Sequence, residues 1–198
     1  MGPDQQPGVS VQPLSGKGCS ADFSGSGVRL PDANRSSFTM AERVYIETSV
    51  VSYPTARASR DVIVAGHQQT THDWWDGQRL RYELCHSQLV VREAGDGDRD
   101  AAGERLAVLQ PMTKLEISEA ALFLAEELVR AGALPKKAEN DALHIAIAAV
   151  NRIPDLLTWN CKHMANAHMR TKIELTCKAM GLTAPIVCTP EEMMDIES

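Results

Sequence analysis

Residues 140–152, NDALHIAIAAVNR, are apolar nearly all the way round a helix. A helix of that kind has to be covered on every side. The chain must therefore supply layers on both flanks of it. The rest of the sequence offers them as an alternation of strand-like and helix-like stretches. Residues 44–48 (VYIET) read as a strand. From Arg60 to about Asp76 the apolar residues fall at helical spacing, and a second helical piece runs to about Leu84. SQLVV (87–91) reads as a short buried strand, residues 100–110 as a helix and MTKLEI (112–117) as a strand. Ser118 is placed as a helix cap, with Ile117 and Leu122 as a hydrophobic staple, and Gly132 and Pro135 end that helix. DLLTWN (155–160) is a strand, the stretch from Cys161 to Gly181 a helix, and PIVCT (185–189) a last strand. Strands alternating with helices give an α/β fold whose central, mainly parallel sheet is covered on both faces.

This alternation begins only after residue 39. Residues 1–39 are rich in Gly, Pro, Ser, Gln and Asp and have no periodic apolar face, so they are expected to be a disordered extension. They lack the apolar core of a secretory leader. Met40 opens the folded part, residues 40–198, and is placed as the natural start. The charges before it cancel (Lys17, Arg29 and Arg35 against Asp4, Asp22 and Asp32), so the net charge of −6 belongs to the folded part. A chain this acidic is no general polyanion binder; contact with nucleic acid would need a local basic patch or metal ions. The five cysteines are scattered, odd in number and without a CxxC pair, which points to a reducing cytoplasm and away from a disulfide framework. No stretch is long and apolar enough to span a membrane.

In a parallel sheet, sites form at the carboxyl ends of the strands. Glu47 stands at the end of the first strand, Glu93 two residues past the second, Asp141 in the first turn of the apolar helix, and Asn160 at the end of LLTW. Three converging carboxylates without lysine partners would repel one another. A divalent cation removes that conflict, and hard oxygen donors suit Mg²⁺ or Mn²⁺ beside phosphate. Such a centre activates water for attack on a phosphodiester.

The segments YIETSV, VVREA, NDALHIAIA and LLTWNCKH together resemble the PIN domain, the nuclease fold of bacterial VapC-type toxins, over about residues 42–194. The resemblance implies a three-layer α/β/α sandwich and a Mg²⁺- or Mn²⁺-dependent endoribonuclease. It also implies a dimer and a cognate antitoxin that holds it inactive. On the matching positions, Glu47, Glu93 and Asp141 become the metal carboxylates, Thr48 or Ser49 the hydroxyl that fixes the first of them, and Asn160 the fourth position. The chain departs from the family pattern twice: Glu47 stands for an aspartate, and neutral Asn160 for an acid. The formal charge of the site is therefore −3 rather than −4. Asn160 is the feature that favours an alternative, a PIN-like RNA- or protein-binding module with weak or no catalysis.

Other residues receive plainer readings. His144, one turn beyond Asp141, is expected to be a hydrogen-bonded core histidine rather than a chelator. Trp74 and Trp75 continue an apolar stripe and are expected to pack. Cys161, His163 and His168 match no standard zinc spacing. Arg57, Arg60, Lys136, Lys137, Lys162 and His163 stand near the acids in sequence, and Lys162 is the candidate phosphate contact.

Overall fold

A computed structural model describes residues 41–194; the expected 1–39 extension and the start at Met40 lie outside the described residues. The elements run β1 (Glu42–Ile46), α1 (Thr48–Thr55), α2 (Val62–Gly77), β2 (Tyr82–Ser87), α3 (Gln88–Ala94), α4 (Arg99–Leu109), β3 (Thr113–Leu115), α5 (Glu119–Arg130), α6 (Glu139–Val150), β4 (Asp155–Leu157), α7 (Ala167–Ala179) and β5 (Ile186–Cys188). The five strands form one sheet in the order β3-β2-β1-β4-β5. Every strand pair in it is parallel. The chain moves outward from β1 to β3, then returns to the other side of β1. Right-handed crossovers therefore put the helices after β1 and β2 on one face and those after β3 and β4 on the other. The packing agrees: α1 lies against α2, α3 and α4, while α5 lies against α6 and α7. The result is the expected three-layer α/β/α sandwich.

The core sits where the sequence put it. Seven residues of α6 are buried, from Ala142 through Ala149 with Leu143 partly open. Val44, Tyr45 and Ile46 of β1 and Leu156 and Leu157 of β4 are fully buried beside it. Each large apolar side chain removed from water in this way contributes about 1.5–3 kcal/mol. Side-chain caps start most helices: Asp61 for α2, Ser87 for α3, Asp98 for α4, Ser118 for α5 and Asn166 for α7. Gly132, with φ +67°, follows α5 in the left-handed conformation that a terminating glycine supplies. Trp74 is buried and stacks near Tyr82, as expected of a packing residue. Among the described residues no helix is long and apolar enough to cross a membrane.

Several local expectations are corrected. The helical piece does not run to Leu84 and SQLVV is not a strand: α2 ends at Gly77, β2 is Tyr82–Ser87, and residues 88–94 form α3. The Ser87 hydroxyl accepts the N–H groups of Leu89 and Val90 and so starts a helix. A short apolar run is compatible with either element until its cap is seen. The first strand ends at Ile46 rather than Thr48, because the Glu47 side chain caps α1, a helix the sequence did not announce. DLLTWN is a strand only through Leu157, and α7 begins only at Ala167 after a turn through residues 161–165.

Candidate metal centre

The order β3-β2-β1-β4-β5 reverses direction between β1 and β4. A crevice opens at the carboxyl ends of strands at such a switch point. Glu47 lies directly in it, one residue past β1 and beside the end of β4. Its backbone N–H donates to the Leu157 carbonyl at 3.0 Å, continuing the pairing of the two strands. Glu47 is only 8% exposed. Burying a carboxylate costs several kcal/mol unless donors replace the lost water. Three donors converge on Oε2: the Ser49 N–H at 3.1 Å, the Ser49 hydroxyl, and the Thr158 hydroxyl at 2.9 Å. Oε1 accepts no hydrogen bond from the described residues. Two of those donors are themselves braced. Ser49 Oγ accepts the Trp159 backbone N–H at 2.9 Å, and Thr158 Oγ1 accepts the Asn160 N–H at 2.9 Å. Trp159 is held in turn by its indole N–H to Thr71 and by stacking on His67, with ring centroids 4.0 Å apart.

Glu93 reaches the same place from another direction. It sits on the last turn of α3, six residues past the end of β2, and not in an extended segment two residues beyond a strand. Helical winding turns it toward α1 and α6. Its Oε2 accepts the Thr48 hydroxyl and lies 3.1 Å from His144 Nε2; its Oε1 accepts the Asn140 amide at 3.0 Å. Partial burial pushes this carboxyl up, but the His144, Thr48 and Asn140 bonds together outweigh it and hold the group below the usual glutamate range. Glu47, Glu93 and His144 form a group in which one ligand-capable atom from each lies within 4.8 Å of the other two. Among the described residues no lysine or arginine pairs with either glutamate. Two carboxylates so close, with one oxygen of Glu47 undonated, fit a divalent cation by charge and by donor type.

Asp141 is arranged differently. It stands in the first turn of α6, half-buried, and its Oδ2 bonds the His163 ring at Nδ1, 2.8 Å away. It is not a member of the close group around Glu47. Asn160 is spent on the turn that carries His163: its side-chain oxygen accepts the His163 N–H at 3.1 Å. Asn160 thereby braces the partner of Asp141. Lys162 in that turn is exposed and has no ion-pair partner among the described residues. Thr48 and Ser49 each hold a carboxylate, Thr48 that of Glu93 and Ser49 that of Glu47. Cys161, His163 and His168 form no metal-ligating group among the described residues.

Thr158, His144 and Asn140 contact the carboxylates without having been singled out as partners. Thr158 could have been found by its place at the end of LLT, level with Glu47 across the β1–β4 pair. Asn140 and His144 could have been found from helical spacing, since positions 140 and 144 share a face of α6.

No family model matches the chain, and no curated protein sequence matches it. Solved structures do show similarity. One is a chain of VapBC2 from Rickettsia felis bound to a DNA fragment from their promoter, at 15% identity, TM-score 0.48, covering 74% of this chain and 98% of that one. Another is Mycobacterium tuberculosis VapC20, a sarcin–ricin loop cleaving toxin, at 15% identity, TM-score 0.48, covering 63% of this chain and 95% of that one.

Proposed function

We propose that the protein is a divalent-metal-dependent endoribonuclease of the PIN type, the toxin member of a toxin–antitoxin pair. The observation that carries this reading is the pairing of Glu47 and Glu93 at the switch point of a parallel sheet, with one carboxylate oxygen undonated and no lysine or arginine paired with either among the described residues. The order of YIETSV, VVREA, NDALHIAIA and LLTWN along the chain supports it.

Glu47 and Glu93 are the residues that would hold Mg²⁺ or Mn²⁺ directly, with Asp141 acting through water. When bound, the ion would polarise the phosphodiester and lower the pKa of water. The chain does the rest. Ser49 and Thr158 fix Glu47 with one oxygen turned free of donors. Thr48 and Asn140 fix Glu93. Asp141, set by His163, accepts a proton from the attacking water as the new P–O bond forms and the ribose oxygen leaves. Lys162, exposed on the same turn, contacts a neighbouring phosphate. Val62, Ile63 and Leu80 near α2 and Leu122 and Phe123 on α5 leave apolar side chains in water. They are candidate surfaces for a second copy of the chain or for an antitoxin.

The use of the Asn160 oxygen inside its own turn favours a second reading, a PIN-like binding module without useful catalysis. The test is cleavage of a mixed panel of labelled RNAs with Mn²⁺ by the protein and by Asp141→Asn prepared identically. Cleavage that a chelator abolishes and the variant lacks supports the nuclease. Equal cleavage by both identifies a contaminating ribonuclease. No cleavage, with RNA still bound, supports the binding module.

A further inference from the structure

A chain of buried groups that starts at the carboxyl end of β2 leads to Glu93. Ser87 Oγ accepts the Leu89 N–H at 3.2 Å and the Val90 N–H at 3.5 Å. It lies 2.7 Å from the Tyr45 hydroxyl. That hydroxyl lies 2.9 Å from His144 Nδ1, and His144 Nε2 lies 3.1 Å from Glu93 Oε2. Ser87 and Tyr45 are fully buried and His144 is 1% exposed. The four residues come from β2, β1, α6 and α3, so the chain ties together the elements that frame the site.

Counting protons gives the chain a direction. An ionised Glu93 only accepts, so its bond to His144 requires a proton on Nε2. In the neutral ring Nδ1 is then an acceptor, and the Tyr45 O–H donates to it. The phenolic oxygen accepts from the Ser87 O–H. The Ser87 oxygen keeps its lone pairs for the two backbone N–H groups. Each contact then has one donor and one acceptor. The opposite tautomer leaves a bare Nε2 lone pair against a carboxylate oxygen. It also asks Ser87, already accepting two N–H groups, to accept a third. Buried groups left in such conflict cost about 1–3 kcal/mol each.

We infer that His144 is a positioning residue: held as the Nε2–H tautomer by Tyr45 and Ser87, it points the Glu93 carboxylate toward Glu47 and is not itself a metal ligand. What Glu93 is pointed for rests on the metal-centre reading above; the tautomer and the bond do not. With the imidazole nitrogen occupied by its proton, the donor set offered to an ion consists of oxygens, which suits Mg²⁺ or Mn²⁺ better than zinc.

Nitrogen-15 NMR of the metal-free protein tests the first half. The expected result is a His144 Nε2–H signal that exchanges slowly with water. An Nδ1–H ring would overturn the inference. Mn²⁺ binding, measured by calorimetry on folded variants, tests the second half. His144→Leu is expected to weaken binding by about 10–100-fold, the usual cost of losing a group that orients a ligand. His144→Gln, which keeps an N–H donor, should recover most of that loss, and Tyr45→Phe should fall between them. Equal loss in the Gln and Leu variants, or direct nitrogen coupling to bound Mn²⁺ in pulsed electron paramagnetic resonance, would overturn it. If the parent protein binds no Mn²⁺, the metal-centre reading fails, and the NMR result alone decides whether His144 positions Glu93.

Discussion

Glu47 and Asp141 are both acids at the mouth of one sheet, yet they are held in opposite ways. Glu47 is deeply buried, and its donors come from two elements, α1 and the residue after β4. Asp141 is half-buried, and its partner His163 rides on a turn that Asn160 stitches to itself. The inner acid is fixed by the packing of the sandwich. The outer one is fixed by a local loop. The contrast shows that position in the topology does not decide how rigidly a carboxylate is presented; the source of its hydrogen bonds does.

The two positions should therefore respond differently to mutation. The largest effect is expected from Glu47→Gln. It removes a charge from the metal pair and turns an acceptor-only group into one that can clash with the Ser49 and Thr158 donors. RNA cleavage should fall by well over about 100-fold, beyond the roughly 10–100-fold typical of a group that acts through another. Mn²⁺ binding should fall with it. Asp141→Asn should reduce cleavage while weakening Mn²⁺ binding much less than Glu47→Gln does, as fits an acid that reaches the ion through water. Equal loss of metal affinity in both variants would erase the distinction between inner and outer acid.

Stability offers a second comparison. Thr158→Val removes a buried donor to Glu47 and the acceptor for the Asn160 N–H, and is expected to cost about 1–3 kcal/mol in urea unfolding. Asn160→Ala removes a capping-type bond in a partly exposed turn and should cost about 1 kcal/mol or less. The reverse order would place the rigid element in the loop.

How much of this was legible beforehand follows the same division. The apolar helix at 142–149 is long and strongly patterned, and the β-branched and aromatic run at 44–46 favours a strand, so the sheet centre and its covering helix are readable from the sequence. SQLVV was misread because five apolar-rich residues carry no period, and only the Ser87 cap decides the matter. Glu47, Glu93 and Asp141 were visible as acids at strand and helix ends. Their partners were not, because Thr158 and His144 lie 111 and 51 residues from the carboxylates they touch. No local pattern encodes contacts at that separation.

The smallest effect is expected at the opposite end of the sheet, where Asp155 begins β4. Burial, and then the nearby Glu42, push this carboxyl above the usual aspartate range. A raised carboxyl favours the protonated native state, so stability is lost as pH rises through the unfolded value and stays lower above the folded one. Asp155→Asn should therefore add a few tenths of a kcal/mol (~0.3) at neutral pH and nothing in strong acid, the group being partly exposed and screened. Thermal melts at the two pH values read this directly. An acid with no side-chain donor among the described residues is thus set against Glu47, an acid with three.

The most direct test of the shared centre is a Mn²⁺ titration, by calorimetry, of the parent protein beside Glu47→Gln and Glu93→Gln. One site is expected in the parent, abolished or severely weakened by either substitution, with both variants still folded. Binding that survives both substitutions unchanged would contradict it, because the two carboxylates would then not be holding the same ion.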